Sequence, residues 1–198
     1  MISKNELVKC SAANFTQFGS KSYTLDDLAS SLGISKKTIY KYFRSKEDLV
    51  VESVTFLIDD FKKDVDGIIE SEEHDAITSI ILIYNKVFEH LQHFKPSFIF
   101  GLKKYYPSAN TIFDGFRVSF VNDTLYGLLD TAKKQGTVKS EVNIQLFCDL
   151  YFKRFEEVAF RNNNLIEQYT NEELLNHFVI YSLRGITSKD YTNSYFKE

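Results

Sequence analysis

Six of the seven residues from 36 to 42, namely Lys36, Lys37, Thr38, Tyr40, Lys41 and Tyr42, carry donors suited to a phosphate oxygen or a base edge. Lysine can donate to guanine O6 and N7, threonine can meet a base edge or a thymine methyl, and tyrosine hydroxyls reach phosphates. Ile39 and Phe43, four apart, give the same run a buried side, so its polar groups are left for the outside and the flanks. After a break at Arg44, Lys46 falls in the first turn of a further helix, where an anion is already favoured. Thr24 is a helix cap whose hydroxyl can also meet phosphate. This is chemistry for holding duplex DNA. Bond-making chemistry is not indicated: the sequence holds no nucleophile elbow, phosphate-binding glycine loop or HExxH pair, and its carboxylates are scattered like surface charge. His90 and His93 lack a third ligand at usable spacing, so neither a metal nor another cofactor is expected.

The elements that must position these groups are short. Thr24 and Asp27 stand in capping-box spacing, and Leu25, Leu28, Ala29 and Leu32 then share one helical face. Gly33 suits a turn needing positive φ, Ile34 anchors it, and Ser35 can cap a second helix running to Phe43. Together they predict a helix-turn-helix. A bracing helix over 4–18 would turn Leu7, Val8, Ser11, Phe15 and Phe18 toward the core and stop at Gly19.

Charge divides unevenly along the chain. The net charge is −3, yet residues 1 to 50 hold eight Lys and Arg against five Asp and Glu, a balance of +3 that leaves −6 for the remainder. A basic end on an acidic body fits an anionic partner for that end only. Cys10 and Cys148 are far apart and show no zinc or disulfide spacing, as expected of helix residues in a reducing cytoplasm. The start, MISKNELVKC, lacks an apolar export segment, and no run of about 18 apolar residues occurs, so a soluble cytoplasmic protein without a membrane partner is expected.

Periodicity and breakers predict an all-α chain of about nine helices. The fourth spans 45–66, a polar loop covers 70–75, and the fifth covers 76–94. A short sixth, Ser97 to Tyr106, is bracketed by Pro96 and Pro107; the seventh covers 110–135 and ends at Gly136. Asn143 caps an eighth to about Asn162, Asn162 to Asn164 form a loop, and Thr170 with Glu173 opens the last, which runs to Arg184. The division is 1–46 for DNA binding and 47–198 for a larger domain, with helix 45–66 connecting them.

The N-terminal quarter resembles the DNA-binding domain of the TetR family of bacterial transcriptional regulators. The resemblance rests on Thr24, Leu28, Ala29, Gly33, Ile34, Ser35, Thr38, Ile39, Tyr40, Tyr42, Phe43, Ser45, Lys46 and Glu47 at fixed spacing, and extends upstream through Leu7, Val8, Cys10, Ser11 and the Phe15 to Gly19 spacing. Cys10 and Ser11 stand where small residues such as alanine are usual. Asp26 occupies a site that in some members is basic and touches phosphate. The resemblance implies DNA contacts at Thr24, Lys36, Lys37, Thr38, Tyr40, Lys41, Tyr42 and Lys46, and a homodimer joined through its last two long helices near Phe147, Leu150, Tyr151, Arg154, Phe178, Tyr181 and Ser182. It implies an apolar effector cavity among Tyr84, Phe88, Phe98, Tyr105, Phe113, Phe116, Phe120, Tyr126 and Phe155, and a repressor released from a palindromic operator by a small hydrophobic or aromatic ligand. The bland reading of those rings is ordinary core. The rivals from other classes are an interaction protein that docks through its helix-turn-helix, and a helical enzyme acting on the pocket ligand.

Overall fold

Ser3 starts the first helix: its hydroxyl accepts from the Glu6 backbone N–H, and the Glu6 carboxylate accepts from the Ser3 backbone N–H. The computed structural model describes residues 2–160 and 165–196. In chain order these form α1 Lys4–Phe18, α2 Leu25–Ser31, α3 Lys36–Tyr40, α4 Lys46–Ile69, α5 Ala76–Gln92, α6 Pro96–Tyr105 and α7 Pro107–Ser119. They continue with a π-helical segment Phe120–Leu125, α8 Tyr126–Lys134, α9 Ile144–Phe160, α10 Leu165–Gln168, α11 Asn171–Leu174, a second π-helical segment Leu175–Ile180 and α12 Tyr181–Ile186. The fold is all-helical, and among the described residues the extended pairing is one antiparallel bridge, Val138 with Thr187.

Several boundaries differ from expectation for identifiable reasons. Both prolines begin helices instead of bracketing one, because a first-turn residue needs no N–H. The expected seventh helix therefore starts at Pro107, and it passes through Phe120–Leu125 in π form before α8. Gly136, at φ +79°, ends that run with its N–H on the Lys133 carbonyl. Asn143 caps α9 as expected, its side chain accepting from the Leu146 N–H at 3.0 Å. The loop expected at Asn162 to Asn164 lies outside the described residues. The one-turn α10 has no counterpart among the expected helices, since four residues give no periodicity to read. Phe18 is also a correction: it is 50% exposed and stacks on Tyr23 at 5.8 Å, while Ala12 and Thr16 join Leu7, Val8, Ser11 and Phe15 in the buried stripe.

The chain divides into two compact units, Met1–Asp60 with His93–Phe116, and Phe61–Gln92 with Arg117–Glu198. In the first, Leu7, Phe15, Leu28, Ile39, Leu49 and Val50 share one core with Phe98 and Leu102 from α6. Each such side chain contributes about 1.5–3 kcal/mol when fully buried. Two glycines let α6 reach the end of α1. A Cβ at Gly19, which has φ +86°, would meet Ser97 Oγ at 2.9 Å, and one at Gly101 would meet Ser20 Oγ at 2.7 Å. The Lys95 N–H donates to the Thr16 carbonyl at 2.9 Å and the Tyr106 hydroxyl to the Ser20 carbonyl at 3.2 Å, which fixes that approach.

The second unit is built on rings. Tyr84 and Phe88 of α5 meet Tyr151 and Phe155 of α9 and Phe178 of the second π segment, with Tyr151 and Phe178 only 4.4 Å apart. The Tyr151 hydroxyl, buried among them, donates to the Phe178 carbonyl at 2.8 Å, so its polar end is satisfied. After α12 the chain returns to the start of α5, where the Tyr191 hydroxyl donates to Asp75 at 2.7 Å and the Asn193 amide to Thr78 Oγ1 at 2.8 Å.

Ser20 Oγ is buried without a hydrogen-bond partner, directly against Gly101. Gly101→Ala should therefore destabilise the chain by about 1–3 kcal/mol in urea unfolding, although alanine is the better helix former by about 1 kcal/mol. Combining it with Ser20→Ala, which removes the obstructing oxygen, should restore wild-type stability or better. Wild-type stability in Gly101→Ala alone would contradict this packing.

Candidate nucleic-acid interface

The turn between α2 and α3 follows from its residues. Thr24 Oγ1 accepts from the Asp27 N–H at 3.1 Å, and the Asp27 carboxylate accepts from the Thr24 N–H at 2.8 Å and from its hydroxyl at 2.7 Å, bonds that hold the carboxyl below its ordinary pKa. Gly33 takes φ +61°, which sends the Ile34 N–H back to the Ala29 carbonyl at 2.9 Å. Ser35 then caps α3 by accepting from the Thr38 N–H. Helix α3 proper ends at Tyr40, short of the expected Phe43, and Lys41 to Phe43 close it as a turn bonded to Thr38 and Ile39 carbonyls. Ile39 and Phe43 are buried all the same, so Lys36, Lys37, Tyr40, Lys41 and Tyr42 lie exposed, with Thr38 half-buried.

These outward groups are not equally free. Lys36 Nζ lies 2.7 Å from Asp26 of α2, and that bond raises its pKa. The Tyr42 hydroxyl donates to the Ile2 carbonyl at 3.0 Å, tying the turn after α3 to the start of the chain. Tyr40 is 53% exposed, and Lys37 and Lys41 are exposed beside it.

Lys46 has a different setting from the other lysines. Its ammonium donates to the Tyr23 carbonyl at 2.6 Å and toward the Lys21 carbonyl at 3.4 Å, and it lies 5.6 Å from the Phe15 ring centre and 5.9 Å from that of Tyr106. Burial lowers its pKa, as does the neighbouring Lys21 charge, against the pull of Asp27. One ammonium thus joins the first turn of α4 to the segment leading into α2. An ammonium has three donors, so a third remains after those two carbonyls.

The rings and interface residues expected from the sequence fall into separate places. Phe98, Tyr105, Phe113 and Phe116 belong to the first unit, where Phe98 is core and Tyr105 is 40% exposed. Tyr84, Phe88 and Phe155 join in the second unit's ring cluster, Phe120 packs edge-on against Phe61, and Tyr126 is half-buried. Beside the cluster is an apolar cavity of about 10 Å³, measured as room for the centre of a water molecule, bordered by Tyr84, Val121, Leu125, Leu129, Cys148 and Leu183 among others. Burial pushes the Cys148 thiol up to about 11, which leaves it an inert wall.

Of the expected interface residues, Tyr151 and Phe178 are buried within the chain, Phe147 and Ser182 are half-buried, and Leu150, Arg154 and Tyr181 are exposed. Leu146, one turn before Leu150, is 54% exposed and stands outside the expected set. The available signal was that α9 is apolar on two faces, with Ile144, Cys148 and Tyr151 on one and Leu146 with Leu150 on another.

A capped two-helix turn that displays lysines and tyrosines from a core-anchored second helix defines a helix-turn-helix DNA-binding protein. Residues 4–52 match the family profile of the bacterial regulatory proteins, tetR family. The chain is 28% identical over 169 residues to the uncharacterized HTH-type transcriptional regulator YvaF of Bacillus subtilis (strain 168), covering 85% of this chain and 88% of that one. Its fold is similar to the ketosteroid transcriptional regulator KstR2 of Mycobacterium tuberculosis, at TM-score 0.66 and 17% identity over 96% of this chain and 97% of that one. It is likewise similar to the fatty acid degradation regulator FadR from Bacillus halodurans, at TM-score 0.69 and 18% identity over 93% and 97% of the two chains. Residues 4–52 are thus a DNA-binding domain of the tetR-family type, and the chain is a DNA-binding transcriptional regulator.

The exposed Lys36 to Asp26 pair contributes little to folding, since solvent and salt screen surface pairs. Asp26→Asn should leave unfolding nearly unchanged but strengthen binding to every duplex, and steepen the log-log salt slope by about 0.9 for each Lys36 released onto a phosphate. An unchanged slope would show that Lys36 is not held back by Asp26.

Proposed function

We propose that this chain is a homodimeric cytoplasmic repressor, without enzymatic activity, whose two α3 segments enter successive major grooves of a palindromic operator. The observation that carries the reading is the exposed set Lys36, Lys37, Tyr40, Lys41 and Tyr42 over a buried Ile39 and Phe43. Lys37 and Thr38, at the start of α3, take the base edges, and Lys36 takes a phosphate when it leaves Asp26. Lys41, the Tyr40 hydroxyl and the remaining Lys46 proton take phosphates, and the Tyr42 and Thr24 hydroxyls join them on exchanging their present acceptors, the Ile2 carbonyl and the Asp27 carboxylate. Dimerisation is supported by Leu146 and Leu150 of α9 and Tyr181 of α12, each more than half exposed, a set of apolar groups that a second copy would cover.

The effector site assigned here is the apolar space bordered by Tyr84, Val121, Leu125, Leu129, Cys148 and Leu183. At about 10 Å³ it holds at most one water, so a ligand enters only by selecting a conformation in which these side chains have parted. Its border offers rings, aliphatics and a protonated thiol, which suits an uncharged hydrophobic or flat molecule. A coupling of about 1–3 kcal/mol between that conformation and the spacing of the two α3 segments changes DNA affinity some 5- to 150-fold.

Selection from a pool of randomised duplexes tests the reading without assuming any operator sequence. The enriched sequences should be palindromes whose half-site centres lie about 10 base pairs, or a multiple, apart. Enrichment of an unrepeated motif, or none, would contradict a two-headed reader. Replacing Leu146 and Leu150 together by Glu should yield a helical monomer in sedimentation, with affinity for the selected palindrome down by at least about 100-fold because the second contact is no longer tethered. A dimer surviving both changes would place the interface elsewhere.

A further inference from the structure

We propose a second DNA-contacting strip outside the helix-turn-helix, formed by Lys21, Lys103, Lys104 and the exposed rings of Phe100 and Tyr105, which grips the sugar-phosphate backbone flanking each half-site. It rests on the DNA-binding reading above. The segment 93–116 lies in the acidic remainder of the sequence after residue 50, yet it carries Lys95, Lys103 and Lys104 against Asp114 alone, and it belongs to the first unit together with α1 to α3. Two ammonium groups converge on one ring: Lys21 Nζ is 5.0 Å from the centre of Tyr105, and Lys104 Nζ is 5.3 Å from it. Lys104 also lies 5.4 Å from the ring of Phe100, which is 61% exposed. Like charges gathered on exposed rings repel one another, and a polyanion relieves that repulsion. The rings meanwhile hold the lysine stems at reduced entropic cost.

The strip is continuous with the proposed phosphate site. Lys46 donates to the backbone of Lys21 and faces the ring of Tyr106, the residue after Tyr105, while Ser108 donates to Glu47 at 2.9 Å. The end of α6 therefore borders the first turn of α4. The carboxylates beside that turn have partners of their own, Glu47 accepting from Ser108 and Asp27 from Thr24. A duplex seated on Thr24 and Lys46 would pass its backbone to Lys21 and Lys104 beyond the bases that α3 reads. Contacts of this kind raise affinity for all sequences alike and carry no base preference.

Fluorescence anisotropy of a random-sequence duplex of about 40 base pairs, titrated with full-length protein over a series of KCl concentrations, tests the assignment. Lys21→Ala with Lys104→Ala, both exposed positions, should make the log-log salt slope shallower by about 0.9 per lost contact, up to about 4 for a dimer. Lys21→Arg with Lys104→Arg should keep the wild-type slope, since charge is retained. The reference is Lys37→Ala with Lys41→Ala, which lowers the slope through α3 alone. A lowered slope in that reference with an unchanged slope in the Lys21 and Lys104 variant overturns the strip and leaves the helix-turn-helix reading intact. Failure of the wild-type protein to bind duplex overturns both.

Discussion

The ammonium of Lys46 is the point on which the reading end depends. It draws the carbonyls of Lys21 and Tyr23 toward the first turn of α4 and lies over the rings of Phe15 and Tyr106. A half-buried cation is costly to desolvate, as its lowered pKa records. Hydrogen bonds to a charged group, worth about 1.5–3 kcal/mol each, and the facing rings offset that cost. Because the residues so gathered lead directly into Thr24 and α2, the clamp sets where α2 begins, and the Gly33 turn then sets where α3 points. Binding geometry thus begins with a group that faces partly inward.

The two units solve different problems with different side chains. The first packs aliphatics and a few rings around short helices, and admits α6 through Gly19 and Gly101, so that a segment distant in sequence braces the reading head. The second relies on a ring cluster, and both of its π-helical segments contribute to it or to the adjoining cavity: Phe178 from one, Val121 and Leu125 from the other. π-helical turns are uncommon and are frequent at functional sites.

The reading head was the most legible part of the sequence, because its signals are local. The Thr24 and Asp27 cap, the Gly33 turn, the Ser35 cap and the Ile39 with Phe43 pair all act within a few residues of themselves. Long-range partners were invisible. Nothing near Lys46 announces that its ammonium turns toward Tyr23, nothing near Asp26 announces Lys36 as its partner, and the rings of the C-terminal half could not be sorted by period alone. Tyr151 and Phe178 share helical stripes with Leu150 and Tyr181, yet the first pair is core and the second is exposed. That choice is made by neighbouring helices, which a one-dimensional pattern does not contain. Phe18 failed for a similar reason: its phase points inward, but Tyr23 offers it a stacking partner at the surface.

Amide hydrogen exchange on Lys46→Met, which keeps the stem and deletes the charge, tests the clamp most directly. Protection should fall across residues 22–43, at Leu28, Ile34 and Ile39 among them, in step with the loss of affinity for duplex DNA. Protection equal to that of the wild type, with affinity still reduced, would make Lys46 a phosphate ligand only and remove the clamp from the account.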